Sequence, residues 1–183
     1  ADLDRTAATA KNFNNNYCGK VASLSAAELS DAVRHYEAIE DLLGRISSYA
    51  QLYHATKVSD REAGRFFQTT MERLNSIISK LIFFTLELNR IEDDAMQALL
   101  EANESLARYP PWLRDVRASR SHQLPDEQEQ LLHEKQMTGR ASWVRLFDET
   151  IADIRFDVDG EQLSLEKTLH LLSEPDTSKR KTA

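Results

Sequence analysis

The sequence predicts a mainly α-helical fold, with a long antiparallel helical hairpin followed by a smaller helical subdomain carrying one short β-hairpin near 154–165. Three observations predict it. Only five glycines and four prolines occur in 183 residues, and every proline lies after residue 109, so the first hundred positions hold few helix breakers. Two long stretches repeat apolar residues at helical steps. One Asp-Gly pair, Asp159-Gly160, interrupts an alternating segment, which is the pattern of a two-residue hairpin turn.

Taken in order, Ser25-Ala26-Ala27-Glu28 has the spacing of a capping box. Leu29, Val33, Tyr36, Ile39, Leu43 and Ile46 then mark one helical face that continues to Tyr53. Ser59-Asp60-Arg61-Glu62 repeats the capping pattern and opens a second face, from Phe66 through Leu74, Ile77 and Leu81 to Leu88. Two helices of about thirty residues would each run roughly 45 Å. The short joint Lys57-Val58-Ser59-Asp60 favours antiparallel packing. A third helix is expected over about 94–107, with Ala95, Leu99, Ala102 and Leu106 inward.

The chain then changes character. Tyr109-Pro110-Pro111-Trp112-Leu113 starts a short helix with proline in its first turn, where a missing amide does no harm. Leu124 to Met137 reads as a helix with acids near its start, and Thr138-Gly139 ends it. Trp143, Val144, Phe147, Ile151 and Ile154 mark the next helix, and the segment Arg155–Leu165 alternates around Asp159-Gly160. A short helix follows to Leu172. Ser173-Glu174-Pro175-Asp176 then reads as a new helix start capped by Ser173, with only seven residues after it. The expected division is 1–108 for the hairpin and third helix and 109–183 for the smaller subdomain, together a fragment truncated at both ends.

Composition excludes several classes of function. The 23 basic and 30 acidic residues give a net charge of −7, which argues against a nucleic-acid partner. The longest apolar run, Ile77–Leu88, is broken by Lys80 and Glu87 and is too short for a bilayer span, so no membrane partner is expected. Cys18 is the single cysteine, which fits a reducing, cytoplasmic setting, and no signal-peptide pattern is visible.

A search for chemistry finds no self-contained active site. His133-Glu134-Lys135-Gln136-Met137 is one residue short of His-Glu-x-x-His, in which two imidazoles one turn apart hold zinc and the Glu activates its water. Met137 is a poor zinc ligand, and no two of the five histidines lie three to five apart. The i, i+4 pairs Asp31/His35, Glu129/His133 and Glu166/His170 read as surface pairs. No nucleophile elbow, Walker loop or dinucleotide fingerprint occurs. The expectation is therefore no catalytic, cofactor-binding or metal residue in this chain. Trp143 reads as packing among apolar neighbours, and both Trp112 and Trp143 also read as possible anchors for a partner surface. A stand-alone helical interaction or dimerisation module is one reading, and a ligand cavity lined by Tyr53, His54 and Phe67 is another.

A resemblance extends the reading. Gly44–Asp60 is similar to the first long helix and joint of the N-terminal region of bacterial oligoendopeptidase F, a relative of thimet oligopeptidase, and Phe83–Ile91 is similar to the end of its second helix. The ordered series Leu124, Glu127, Glu129, Trp143, Leu146, Phe147, Glu149, Phe156, Pro175 and Asp176 resembles that family most closely. The resemblance covers roughly four-fifths of the chain, from about Glu37 onward. It implies a zinc metallopeptidase that cuts short peptides in a cleft between helical lobes. The catalytic His-Glu-x-x-His of such an enzyme lies in its C-terminal half, so zinc belongs to the parent and none is expected on this fragment. The fragment would supply part of the wall restricting access, be inactive alone, and partner the catalytic lobe of the same chain. Trp112, Trp143, Phe147 and Phe156 are the residues expected at that interface.

Overall fold

The computed structural model describes residues 2–58 and 60–182. Its elements run in chain order α1 (Asp2–Tyr17), α2 (Ala26–Ala55), α3 (Arg61–Ile78), α4 (Ile82–Arg90), α5 (Asp93–Ala102), α6 (Pro110–Arg117), α7 (Asp126–Lys135), α8 (Arg140–Asp153), β1 (Arg155–Val158), β2 (Glu161–Ser164), α9 (Leu165–Leu171) and α10 (Thr177–Thr182). The fold is mainly helical with one two-stranded antiparallel sheet. Residues 1–135 form one compact unit and 136–183 a second. The sequence reading placed a boundary after residue 108.

In the first unit α2 begins at the expected capping box. The Ser25 hydroxyl accepts from the Glu28 amide at 3.3 Å, and the Glu28 carboxylate accepts from the Ser25 amide at 2.8 Å. Such a cap stabilises a helix by about 1 kcal/mol. α2 and α3 pack antiparallel, since Ser47 meets Met71 while His54, nearer the joint, meets Phe67. Asp60 caps α3, accepting from the Glu62 amide at 2.8 Å. Ser59, the cap expected there, lies outside the described residues.

The second arm is not one helix. Its apolar rows continue to Leu88, but the chain turns over Ser79–Leu81 and restarts as α4. The Lys80 and Leu81 amides reach back only three residues, to Ile77 and Ile78. The freed Lys80 carbonyl accepts from the Asn14 side chain at 2.8 Å. The turn aims Phe84 into the core, where it is fully buried with its ring centroid 5.1 Å from Phe13 and 5.0 Å from Tyr36. Phe13 comes from α1, a helix that periodicity also supports through Leu3, Thr6, Ala10, Phe13 and Tyr17.

Two inward positions on α5 also differ from expectation. Ala95 and Ala102 are exposed, and Met96 is buried instead. The larger side chain takes the inward place because its burial removes more apolar surface from water. α5 ends at Ala102, and Leu106 reaches the core from a 3₁₀ turn over Leu106–Arg108.

α6 carries proline in its first turn, as read from the sequence, and buries Leu113. Arg117 on α6 satisfies the C-terminus of α4: its guanidinium donates to the Leu88 and Ile91 carbonyls at 2.8 and 2.7 Å. It also pairs with Asp93, whose carboxyl it holds below the usual range, first by hydrogen bond and then by charge.

In the second unit the hairpin forms about Asp159-Gly160, with φ of 55° and 85°. Both values are left-handed, as a type I′ turn requires. Phe156 pairs with Leu163 and Asp157 with Gln162, and the Asp157 carboxylate accepts from the Gly160 amide at 3.0 Å. α10 starts at Thr177, and its cap is Asp176, which accepts from the Ser178 amide at 2.8 Å. Ser173, the expected cap, is three residues too early, because Leu172 and Ser173 still form the turn that closes α9.

Candidate functional site

The half-motif at 133–137 does structural work. His133 Nε2 lies 3.4 Å from the Asn75 carbonyl. Glu134 accepts from Gln130 at 3.0 Å and from Ser79 at 3.4 Å. Both residues of α7 are therefore turned to α3 within the first unit. In the pair Asp31/His35, His35 faces the Tyr17 hydroxyl and Asp31 pairs with Arg34. Among the described residues, no group of three or more His, Cys, Asp or Glu side chains is placed to hold a metal ion. The donor set of the His133–Met137 segment does not fit zinc, since Met137 stands where a second imidazole would be needed.

Cys18 borders a cleft of about 570 Å³ with Asn14, Ser79, Lys80 and Glu134. Burial, and then the neighbouring Glu87 carboxylate, push its thiol pKa up, so it is a poorer nucleophile than a free cysteine. Tyr53, His54 and Phe67, read as a cavity lining, pack against neighbouring rings. His54 stacks on Phe67 at 5.0 Å, and Tyr53 stacks against Tyr49 at 6.2 Å.

The four residues expected at an interface fall into two groups. Trp112 is half-buried in the first unit, its ring 6.0 Å from Tyr36 and 6.3 Å from Tyr109. It packs against the core. Trp143, Phe147 and Phe156 belong to the second unit and are 71, 64 and 37% exposed. The packing role read for Trp143 is not what the structure shows.

α8 is exposed at every position from Trp143 to Thr150. Val144 and Leu146 join the two aromatics there, and Leu169 and Leu172 are exposed in the same unit. The sequence signal for these additional residues was present. At roughly 100° per residue Trp143, Val144, Leu146 and Phe147 fall within one arc of about 160°, so they share one broad apolar face of α8. A fourteen-residue helix without a covered face is marginal in water. The face can therefore offer a large apolar docking surface.

Comparison with known proteins gives this surface a context. Residues 87–156 match the family described as Oligopeptidase F. That span runs from within α4 through α8 to the start of β1. The chain is also similar to Oligopeptidase PepF of Bacillus subtilis (strain 168), with 28% identity over 123 residues. The match covers 64% of this chain and 18% of that protein, so the chain spans less than a fifth of that relative's length. No solved structure matches the chain. Among the described residues, no helix is long and apolar enough to cross a membrane.

Proposed function

We propose that this chain is the N-terminal, non-catalytic region of an oligopeptidase of the oligopeptidase F type. The match of residues 87–156 to that family carries the reading. The enzyme would be a zinc metallopeptidase acting on short peptides in the cytoplasm, with its zinc ligands elsewhere in the polypeptide. The exposed face of α8, with Phe156 beside it in the chain, would dock on the catalytic lobe. The helical first unit would act by shape, narrowing the way to the cleft so that short peptides enter and folded proteins do not.

The test uses the native polypeptide, captured from source cells with an antibody to this chain. It should cleave a quenched fluorescent peptide of about ten residues, lose that activity to a zinc chelator, and leave a folded protein intact. This chain alone should show no cleavage. A captured polypeptide with no peptidase activity, with or without added zinc, would overturn the reading and leave a binding module in its place.

A further inference from the structure

The cleft that Cys18 borders lies wholly within the first unit, and its volume of about 570 Å³ is in the range of small-molecule sites. Four elements build it. Its wall on α3 and the turn after it is Glu72, Asn75, Ser76 and Ser79, an i, i+3, i+4, i+7 row on one face. Gln130 and Glu134 of α7 face that wall, and Glu134 is tied to it through Ser79 at 3.4 Å. The floor is apolar: Phe83 and Leu86 of α4 are each 8% exposed. The end of α1 closes one side, where Asn14 holds the Lys80 carbonyl at 2.8 Å.

Part of the polar lining is already used by the fold. Asp126 pairs with Arg90, and Glu134 accepts from Gln130 and Ser79. The α3 wall is different. Gln68, one turn earlier, donates to one oxygen of Glu72 at 2.9 Å and holds the carboxylate in place. Its second oxygen has no donor, and the group no cation, among the described residues. The Asn75 side-chain amide, the Ser76 hydroxyl and the Lys80 ammonium likewise have no partner among the described residues. The unused groups therefore follow one another along a single wall in the order carboxylate, amide and hydroxyl, ammonium. Glu72 and Lys80 are eight residues apart, or about 12 Å at the helical rise.

We infer that this cleft binds a short zwitterionic peptide of about three residues, its N-terminal ammonium on Glu72 and its C-terminal carboxylate on Lys80. An extended chain advances about 3.3 Å per residue, so a tripeptide covers about 10 Å and meets both charges at once. Asn75 carries a donor and an acceptor together, which matches the C=O and N–H of the peptide backbone between the two ends. An apolar central residue would rest on Phe83 and Leu86. A free cation would satisfy Glu72 alone, and a free anion Lys80 alone; the order of the groups selects a ligand that carries both. The inference rests on residues of the first unit and does not depend on the parent being a peptidase.

The test is a titration of this chain with the tripeptide Ala-Leu-Ala, followed by amide NMR shifts. The Asn75 and Ser76 amides, with the Asn75 side-chain amide, should shift saturably with a Kd of about 1 mM or tighter. The N-acetylated and C-amidated peptides should each bind about tenfold more weakly. Glu72→Gln should bind the free and N-acetylated peptides alike, and Lys80→Met the free and C-amidated ones alike. Both side chains are exposed, so both variants should fold. No saturable shift at about 20 mM peptide overturns the inference, and is the result expected if Lys80 closes the cleft by pairing with Glu134. Equal binding of all three peptides to the unaltered chain also overturns it, as do shifts confined to other parts of the chain. Peptide binding in a polypeptide without peptidase activity would uphold the inference while removing the function proposed above.

Discussion

Replacing Arg117 by Ala should destabilise the first unit by about 3 kcal/mol. The side chain is 13% exposed, and its guanidinium closes the C-terminus of α4 through the Leu88 and Ile91 carbonyls. A hydrogen bond to a charged donor contributes about 1.5–3 kcal/mol, and two are lost, less what water recovers at the opened site. The Asp93 pairing adds no stability figure, since that carboxylate is itself 83% exposed. Urea denaturation followed by Trp112 fluorescence, with Trp143 changed to Phe, reads this unit alone. With a slope of about 2 kcal/mol/M the midpoint should fall by about 1.5 M. Arg117→Lys keeps the charge but not the fork, and should lose about half as much. A midpoint change under about 0.3 M for the Ala variant would refute the reasoning. The acid limb supplies a second check. Arg117 depresses the folded-state pKa of Asp93 from its ordinary 3.8, so that contribution is present above about pH 4 and lost as pH falls through the lowered folded value. The Ala variant should lose most of it and keep only what Arg120, 3.2 Å from Asp93, supplies.

Three further outcomes are expected. Added zinc should leave the melting temperature of this chain unchanged; a saturable rise of several degrees would reveal a metal site that the donor geometry does not supply. Trp143→Ser with Phe147→Ser should change the chain's own stability by less than about 0.5 kcal/mol in urea, because both side chains are exposed, yet weaken its co-purification with the rest of the polypeptide. Truncation after Ala107 should cost about 5 kcal/mol or more, through lost Leu113 burial and lost Arg117 bonds; a cooperative, fully stable 1–107 piece by calorimetry would contradict the packing described.

Features set by neighbours in the chain were legible in the sequence. Ser25 and Glu28 announce α2 because both halves of the cap lie within one turn, and Asp159-Gly160 announces the hairpin because the turn needs two left-handed residues. Features set by distant residues were not. The turn at Ser79–Leu81 interrupts no periodicity, and the partner of the freed Lys80 carbonyl is Asn14, 66 residues away. The attachment of α6 and α7 to the first unit rests likewise on Arg117 reaching α4 and on His133 and Glu134 reaching α3. At the candidate surface, periodicity separates polar from apolar positions but does not say what covers the apolar ones. Trp112 and Trp143 look alike in sequence, yet one packs beside Tyr36 and the other is 71% exposed.

The central claim is that this chain is one region of a larger peptidase. Its most direct test is the mass and metal content of the native polypeptide, detected in source-cell extract with an antibody to residues 1–183. The account predicts a zinc-containing band several times heavier than the 20.9 kDa of this chain. A metal-free band at 20.9 kDa would contradict it.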